Sequence, residues 1–266
     1  MEFLKIYGSY VKMFLRSRME YRFSFFSGMA ANFYCYAITF ITFWVIVQQF
    51  GSIGDWTFDH LIILYGLNLL PYSIATVFVW GNVFQLDSRI TSGTLDGLLI
   101  RPMGVIKQLI CSRFQETSLG QVVVSVIFIS VAFSRLGGQM TLLTYAYFFL
   151  ALAGGVLLHM GAMIIFGSLS FWMLRSGNLS GIVYYDIRSL AQYPLFIFPA
   201  FIRVILTYIL PWAIINYYPS LIILNKVQTT EELVLGILSP FIGGIVFLVS
   251  LLVFNRGLLR YSGSGS

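Results

Sequence analysis

The stretch LVLGILSPFIGGIVFLVSLLVFN, residues 233–255, carries no charged side chain between Glu232 and Arg256. A helix needs about 20 predominantly apolar residues to span the hydrocarbon layer of a membrane. This stretch is long enough and therefore predicts a transmembrane helix. The whole chain has the same character, because 58% of its 266 residues are hydrophobic and only 10% are charged. A soluble globular domain carries about 25% charged residues, so the chain is predicted to be an integral membrane protein.

Long uncharged runs recur along the chain and predict an all-α membrane protein with six transmembrane helices. The first run lacks a cleavage site of small residues, so we expect an uncleaved signal anchor. The six spans are expected at 23–50, 60–82, 117–134, 142–174, 182–202 and 233–255.

The interval from Arg188 to Lys226 could hold one crossing or two short ones. Both ends of the chain are basic, which favours cytoplasmic termini and an even number of crossings. Proline at the density found here suits broken helices better than two full spans. We therefore expect one crossing, followed by short helices in an external region at 203–232 that is re-entrant or lies on the surface.

This threading places most of the 16 basic residues, Arg188 included, on the cytoplasmic side. Only Arg135, Arg203 and Lys226 remain outside. The asymmetry predicts a multi-pass protein of the cell (cytoplasmic) membrane with both termini in the cytoplasm. Orientation and contact with anionic membrane lipids explain the net charge of +6, so the charge does not indicate nucleic-acid binding.

The N-terminal segment 1–22 places Lys5, Lys12 and Arg16 on one face of a helix and aromatic residues on the other. Such a pattern is typical of an amphipathic helix in the membrane interface. The alternative is an ordinary basic tail next to the first span.

Motifs of intramembrane enzymes are absent from the sequence, as is the Gly-rich phosphate loop of ATPases. We therefore expect no catalytic residue and no bound ATP. His60 and His159 are too few for a metal site, and His159 is expected to form a hydrogen bond between packed helices. Cys35 and Cys111 are expected to be free thiols.

The acidic residues lie outside the predicted spans, except Asp186, which is expected near the cytoplasmic end of the span at 182–202. A carrier driven by an ion gradient usually keeps ionisable groups at mid-membrane depth, so the pattern favours energy supplied by a partner. Small residues at four-residue spacing, Ala151, Gly155, Ser239 and Gly243, predict close helix contacts, with a dimer seam as a second interpretation.

The segment 86–116 between spans two and three contains SGTLDGLLIRP, residues 92–102. Thr94 is a candidate N-cap of a short helix that Pro102 ends, and Pro102 also suits the first turn of a second helix. In that second helix Met103, Ile106, Ile110 and Phe114 form an apolar stripe. We interpret the two helices as a rigid elbow for protein docking; the alternative is a solvated connector.

These features together resemble the membrane subunits of type-2 ATP-binding-cassette (ABC) exporters. The resemblance rests on the basic N-terminal helix, six spans, the SGTLDGLLIRP segment, the proline-rich YPLFIFP and ILPWAIINYYP, and the terminal RGLLRYSGSGS. It implies that the elbow is a coupling helix that docks on a separate ATPase subunit. The coupling residues are then Gly93, Thr94, Leu95, Asp96, Leu98, Leu99, Arg101 and Pro102.

The resemblance further implies a permease half that pairs with a second membrane subunit, identical or related. ATP and Mg would bind to the partner ATPase, and the short external helices would form an exit gate with Pro194, Pro199, Arg203, Pro211 and Pro219. Two other functions remain open, a gradient-driven transporter or channel and a membrane scaffold without transport.

The predicted orientation can be tested by cysteine labelling in a cysteine-free background. Ser52→Cys and Thr229→Cys are expected to react with an impermeant thiol reagent on intact cells, whereas Ser92→Cys is expected to remain unlabelled. Labelling at residue 92 together with no labelling at residue 229 would reverse the orientation.

Overall fold

The structure is a computed structural model that describes residues 8, 12–13, 16–112, 114–136, 141–173 and 181–261. For Phe50, Asn82 and Ser112 it describes only the backbone. The chain is 82% helical and the described residues form no strand, which confirms the predicted all-α membrane class.

The first part of the chain forms three long helices with the elbow between the second and the third. A π-helical stretch, Trp80–Phe84, connects the second long helix to the elbow. The helices are α1 (Arg22–Phe50), α2 (Phe58–Val79), α3 (Leu86–Thr91), α4 (Asp96–Leu99), α5 (Val105–Ser112) and α6 (Ser118–Leu136).

The second part contains two long helices separated by short pieces. The helices are α7 (Leu142–Ser168), α8 (Ile187–Leu190), α9 (Ala200–Val204), α10 (Ala213–Ile223) and α11 (Thr230–Arg260). Two further π-helical stretches, Ile182–Asp186 and Ile205–Ile209, precede α8 and follow α9.

The most deeply buried long helix is α2, which lies against α6, α7 and α10. By contrast, α1 lies at the edge, contacts mainly α6 and exposes apolar side chains such as Phe23 and Ile38. Among the described residues five helices are long and apolar enough to cross a membrane. The number is six if the bent pair formed by Ala200–Ile209 and Ala213–Ile223 counts as one span.

The most extensive helix contact joins α7 to α11, where Gly154 and Pro240 meet backbone to backbone and Gly243 lies on Gly154. Pro240 has no amide hydrogen, so the carbonyl of Gly236 loses its intrahelical donor. Tyr147 of α7 replaces that donor, because its hydroxyl donates to the Gly236 carbonyl at 2.6 Å. In an apolar medium a free carbonyl is costly, so this bond stabilises both the proline kink and the helix pair.

The predicted close contacts of small residues are present, but they lie within one subunit. Ala151 and Ser239 are buried inside the bundle, and Gly243 contacts Gly154. Gly155 lies against Pro71 of α2 and Ile215 of α10. Since packing within the chain already covers these residues, they do not form a dimer seam.

The predicted span at 182–202 differs from the structure, which has no continuous helix there. The π-helical stretch and α8 are followed by a break at Pro194, a short 3₁₀ turn (Leu195–Ile197) and a second break at Pro199. Proline cannot donate a backbone hydrogen bond and disfavours helix in the preceding residue, which explains the interruptions. Tyr184 contacts Phe84 next to the elbow, whereas Phe196 contacts Trp56 at the opposite end of α2.

The bent pair turns by 101° between its two halves. Ala200 and Arg203 at its start and Asn225 and Lys226 after its end line the same cavity. Between them, Trp212 reaches into the bundle and stacks on His159 of α7. The chain therefore enters from one end of the bundle, turns inside it and leaves at the same end.

The α7–α11 contact predicts a sharp difference between two neighbouring glycines. A Cβ at Gly243 would meet the backbone of Gly154, whereas a Cβ at Gly244 meets nothing within 4 Å. We expect Gly243→Ala to destabilise the protein by about 1–3 kcal/mol through overpacking. Gly244→Ala is the matched control and should be close to neutral.

The measurement is the thermal midpoint of the purified full chain in detergent, followed by size-exclusion chromatography. Equal midpoints for the two variants would contradict the backbone contact between the helices.

Candidate functional site

The elbow, residues 86–112, begins with a turn that requires glycine. Gly93 adopts φ of 69°, a left-handed conformation that other residues avoid. The predicted cap at Thr94 is wrong, because the side chain of Thr94 does not cap α4. Its hydroxyl instead donates to the carbonyl of Arg89 at 3.4 Å and lies 3.0 Å from the hydroxyl of Ser92. Thr94 thus stabilises the turn itself.

Four apolar residues of the elbow divide into an inner, buried pair and an outer, exposed pair. Leu95 and Leu98 are buried in the protein's own core, at 0% and 7% exposure. This differs from the prediction that both fill a groove on a partner, since packing within the chain already covers them. Leu99 and Ile100 point outward, with 46% and 86% of their surface exposed. The sequence prediction missed Ile100 because a residue at the end of a one-turn helix has no periodic pattern to reveal its orientation.

Gln108 of α5 holds the loop between α4 and α5 in place. Its side-chain amide donates to the carbonyl of Leu98 at 2.9 Å and also to that of Met103. The side chain is buried, so these bonds replace water for one carbonyl in the last turn of α4 and one in the loop after it. Sequence reasoning missed Gln108 as well.

The second helix of the elbow packs on a different face from the predicted stripe. Val105, Gln108 and Leu109 are buried, whereas Ile106 and Ile110 are only partly covered. Pro102 is exposed and precedes α5 instead of opening it. Cys111 is a free, buried cysteine, and burial raises the pKa of its thiol. Cys35 is also free, as predicted, and lies exposed on α1.

The charged residues of the predicted coupling set lie beside the outer pair. Asp96 is partly exposed in the first turn of α4, and Arg101 is exposed just after it. The elbow therefore presents an apolar tip with one acidic and one basic neighbour.

Aromatic rings connect the elbow to the interior of the bundle. Trp80 and Phe84 of the π-helical stretch before α3 contact Tyr185 and Tyr184, with ring centroids 5.1 and 5.3 Å apart. Gly167 of α7 lies directly on the carbonyl of Val83, so this stretch has no room to shift toward α7. A displacement of the elbow would therefore be transmitted to Tyr184 and Tyr185.

The basic N-terminal segment lies next to the elbow. Arg18 forms an ion pair with Glu116 at 3.2 Å, just before α6. Lys12 and Arg16 are exposed, as a lipid-facing basic surface requires, while Lys5 lies outside the described residues. The interfacial role of the segment stays a prediction.

A cavity of about 920 Å³ lies at the end of the bundle opposite the elbow. Arg203, predicted as a gate residue, lines it, together with Lys226, Glu231 and Glu232. The hydroxyl of Tyr208 donates to Glu231 at 2.5 Å. The four predicted gate prolines do not line the cavity but shape the chain around it: Pro194 and Pro199 at the breaks, Pro211 at the bend and Pro219 inside α10.

Inside the bundle, His159 confirms its predicted role in helix packing. Its Nδ1 lies 2.9 Å from the hydroxyl of Tyr184, and both side chains are fully buried. Arg188, predicted on the cytoplasmic surface, is instead 4% exposed and donates to the side-chain oxygen of Asn68 at 2.9 Å. The prediction failed because counting basic residues assigns every arginine to water and cannot detect one that is buried in a broken segment.

The described part of the chain contains no group of three or more His, Cys, Asp or Glu side chains that could hold a metal ion.

A family model described as "ABC-2 family transporter protein" matches residues 33–265. No match was found among curated proteins or solved structures. The matched region includes the five long helices from the middle of α1 onward, the elbow and the bent pair. The chain belongs to the ABC-2 transporter family of membrane permeases.

Proposed function

We propose that this chain is the permease half of an ATP-driven exporter, coupled through the elbow to a separate ATPase subunit. The membrane component of this family normally lacks its own ATP-binding site, so ATP and Mg would bind to that partner. The proposed location is the cell membrane, with both termini and the elbow in the cytoplasm.

The observation that carries the proposal is the exposed pair Leu99 and Ile100 at the tip of a rigid turn. Leu99 and Ile100 are adjacent, exposed and outside the predicted membrane spans, so the apolar pair suits a partner's apolar groove. Gly93, Leu95, Leu98 and Gln108 fix the position of that tip. A solvated connector does not need an internal clamp of this kind.

The route from the elbow into the bundle supports coupling as well as docking. Closure of the ATPase would push the tip, and the rings of Trp80 and Phe84 would transmit the displacement to Tyr184 and Tyr185. Tyr184 in turn contacts His159 of α7 and Trp212, which lies at the turn of the bent pair. The outer cavity and Arg203 would then respond as an exit gate.

A second membrane subunit, identical or related, would complete the translocation pathway. The chain leaves large apolar faces uncovered, for example at Phe23 and Tyr34 of α1 and Phe201 and Ile209 of the bent pair. In a membrane such faces contact either lipid or another subunit.

The function is tested on the tagged full chain co-expressed with its ATPase subunit and reconstituted in lipid. We expect the complex to hydrolyse ATP. The chain without its partner should neither hydrolyse ATP nor transport substrate. If the chain alone transported substrate, driven by an ion gradient and without ATP, the gradient-driven transporter would replace the proposal.

The docking tip is tested by Ile100→Asp. Burial of one isoleucine contributes roughly 1.5–3 kcal/mol, so its loss should weaken ATPase binding about tenfold or more. Co-purification with the tagged ATPase measures this effect. Leu98→Asp is less informative, because Leu98 is buried and its replacement would disturb the fold of the elbow itself.

The matched control is Leu142→Asp, because Leu142 has nearly the same exposure, 87%, but begins α7 at the opposite end of the bundle. That variant should retain ATPase binding. Equal retention by Ile100→Asp and Leu142→Asp would make the elbow an ordinary connector.

The shape of the elbow is tested by a pair of glycine variants. Gly93→Ala places a side chain in a left-handed conformation, which costs about 1–2 kcal/mol and should displace the tip. We expect ATP hydrolysis by the complex to fall several-fold while the membrane domain stays folded. Gly97→Ala is the control, since a Cβ there meets nothing within 4 Å; a loss of the same size in both variants would contradict the role of the turn.

A further inference from the structure

Arg188 is a cation inside the bundle without a partner of opposite charge. Its Nη1 donates to Asn68 at 2.9 Å, and its guanidinium carbon lies 3.8 Å from the ring centroid of Tyr72. No carboxylate in the described part of the chain forms an ion pair with Arg188. Glu116 pairs with Arg18 instead, and Asp59 pairs with Arg135. Asp186, two residues before Arg188, is exposed.

The undescribed residues cannot supply the missing charge from nearby loops. They contain one acidic residue, Glu2, which lies at the N-terminus. An aromatic ring and a neutral amide stabilise a buried guanidinium, but they do not neutralise it. A charged residue inside a membrane domain is by default a functional group, so Arg188 requires a specific explanation.

The side-chain oxygen of Asn68 accepts from Arg188, but the buried atoms of this region that lack a partner are nitrogens. Four buried nitrogen atoms have no hydrogen-bond partner among the described residues: Asn68 Nδ2, His159 Nε2, Arg188 Nε and Trp212 Nε1. The hydroxyl of Tyr184 lies at hydrogen-bond distance from the other ring nitrogen of His159. When that hydroxyl donates, Nε2 carries the hydrogen, and all four atoms are N–H donors.

Ring contacts hold these groups in one cluster. The rings of His159 and Trp212 stack with centroids 5.4 Å apart, and Tyr72 lies 5.6 Å from His159 and directly under Arg188. The cluster thus combines one positive charge with unused N–H groups from four different side chains. Water would satisfy some of the donors but would leave the charge uncompensated.

We propose that Asn68, His159, Arg188 and Trp212 form a binding site for a small anion of the size of chloride. The size follows from the enclosure, because His159 and Tyr184 are fully buried and the surrounding rings are in contact. The anion supplies the countercharge of Arg188 and thereby fixes the broken segment against α2 and α7.

The test uses the purified full chain in neutral lipid nanodiscs and follows its thermal unfolding. Sodium chloride is compared with sodium gluconate at equal ionic strength, since gluconate is too large for the site and general screening stays constant. At about five times the dissociation constant, chloride is expected to raise the midpoint by about 2–4 °C with a saturable dependence. Equal midpoints in the two salts would overturn the proposal.

Asn68→Asp gives the most specific variant, because it places a carboxylate where the amide oxygen already accepts from Arg188. This variant is expected to be folded in gluconate and to show no response to chloride. Arg188→Gln should also lose the response. The matched control, Arg256→Gln, removes an exposed arginine of α11 and should keep the full response.

Two outcomes would contradict the site even if Arg188→Gln failed to fold. One is a normal chloride response in Asn68→Asp. The other is a wild-type protein that ignores chloride and is stabilised only when phosphatidylglycerol replaces the neutral lipid, which would make the ligand a lipid headgroup.

Discussion

The need to satisfy each backbone carbonyl in an apolar medium governs this fold, and the carbonyl of Gly236 is the position where the need is most visible. Pro240 removes its intrahelical donor, and the hydroxyl of Tyr147 supplies another at 2.6 Å. The bond is possible only because Gly154 and Gly243 let the two helix backbones touch. The longest of the described helices, α11, is thereby placed on α7; α10 packs on both helices of this pair, and α2 packs on α7.

Hydrophobic run length predicts the long helices well, because a membrane span needs only length and the absence of charge. It predicts the segment 182–202 poorly, since side-chain contacts of Tyr184 and Phe196 hold this segment where prolines interrupt the helix. Arg188 shows the same limit. A count of basic residues treats it as a surface charge, whereas Asn68 and Tyr72 of α2, more than 100 positions away in the sequence, bury it.

The elbow was recognisable as an element, but only some of its residues could be assigned. The sequence predicted a short helix between two spans; in the structure Gly93 lies in the turn before that helix, and Leu99 and Arg101 are exposed, while their coupling role stays a prediction. A one-turn helix has too few residues for a periodic pattern, so the orientations of Leu95, Leu98 and Ile100 depend on tertiary packing. The clamp by Gln108 likewise depends on a contact ten positions apart in the sequence.

The bent pair has a consequence that concerns thermodynamic linkage. Its two limbs line the outer cavity, while its turn holds Trp212 against His159 deep in the bundle. The bent pair thus contributes both to the outer cavity and to the buried contact with His159. A molecule that binds the cavity more tightly in one position of the limbs must change the stability of the contact between Trp212 and His159. By reciprocity, any change at that contact alters the affinity of the cavity by the same factor.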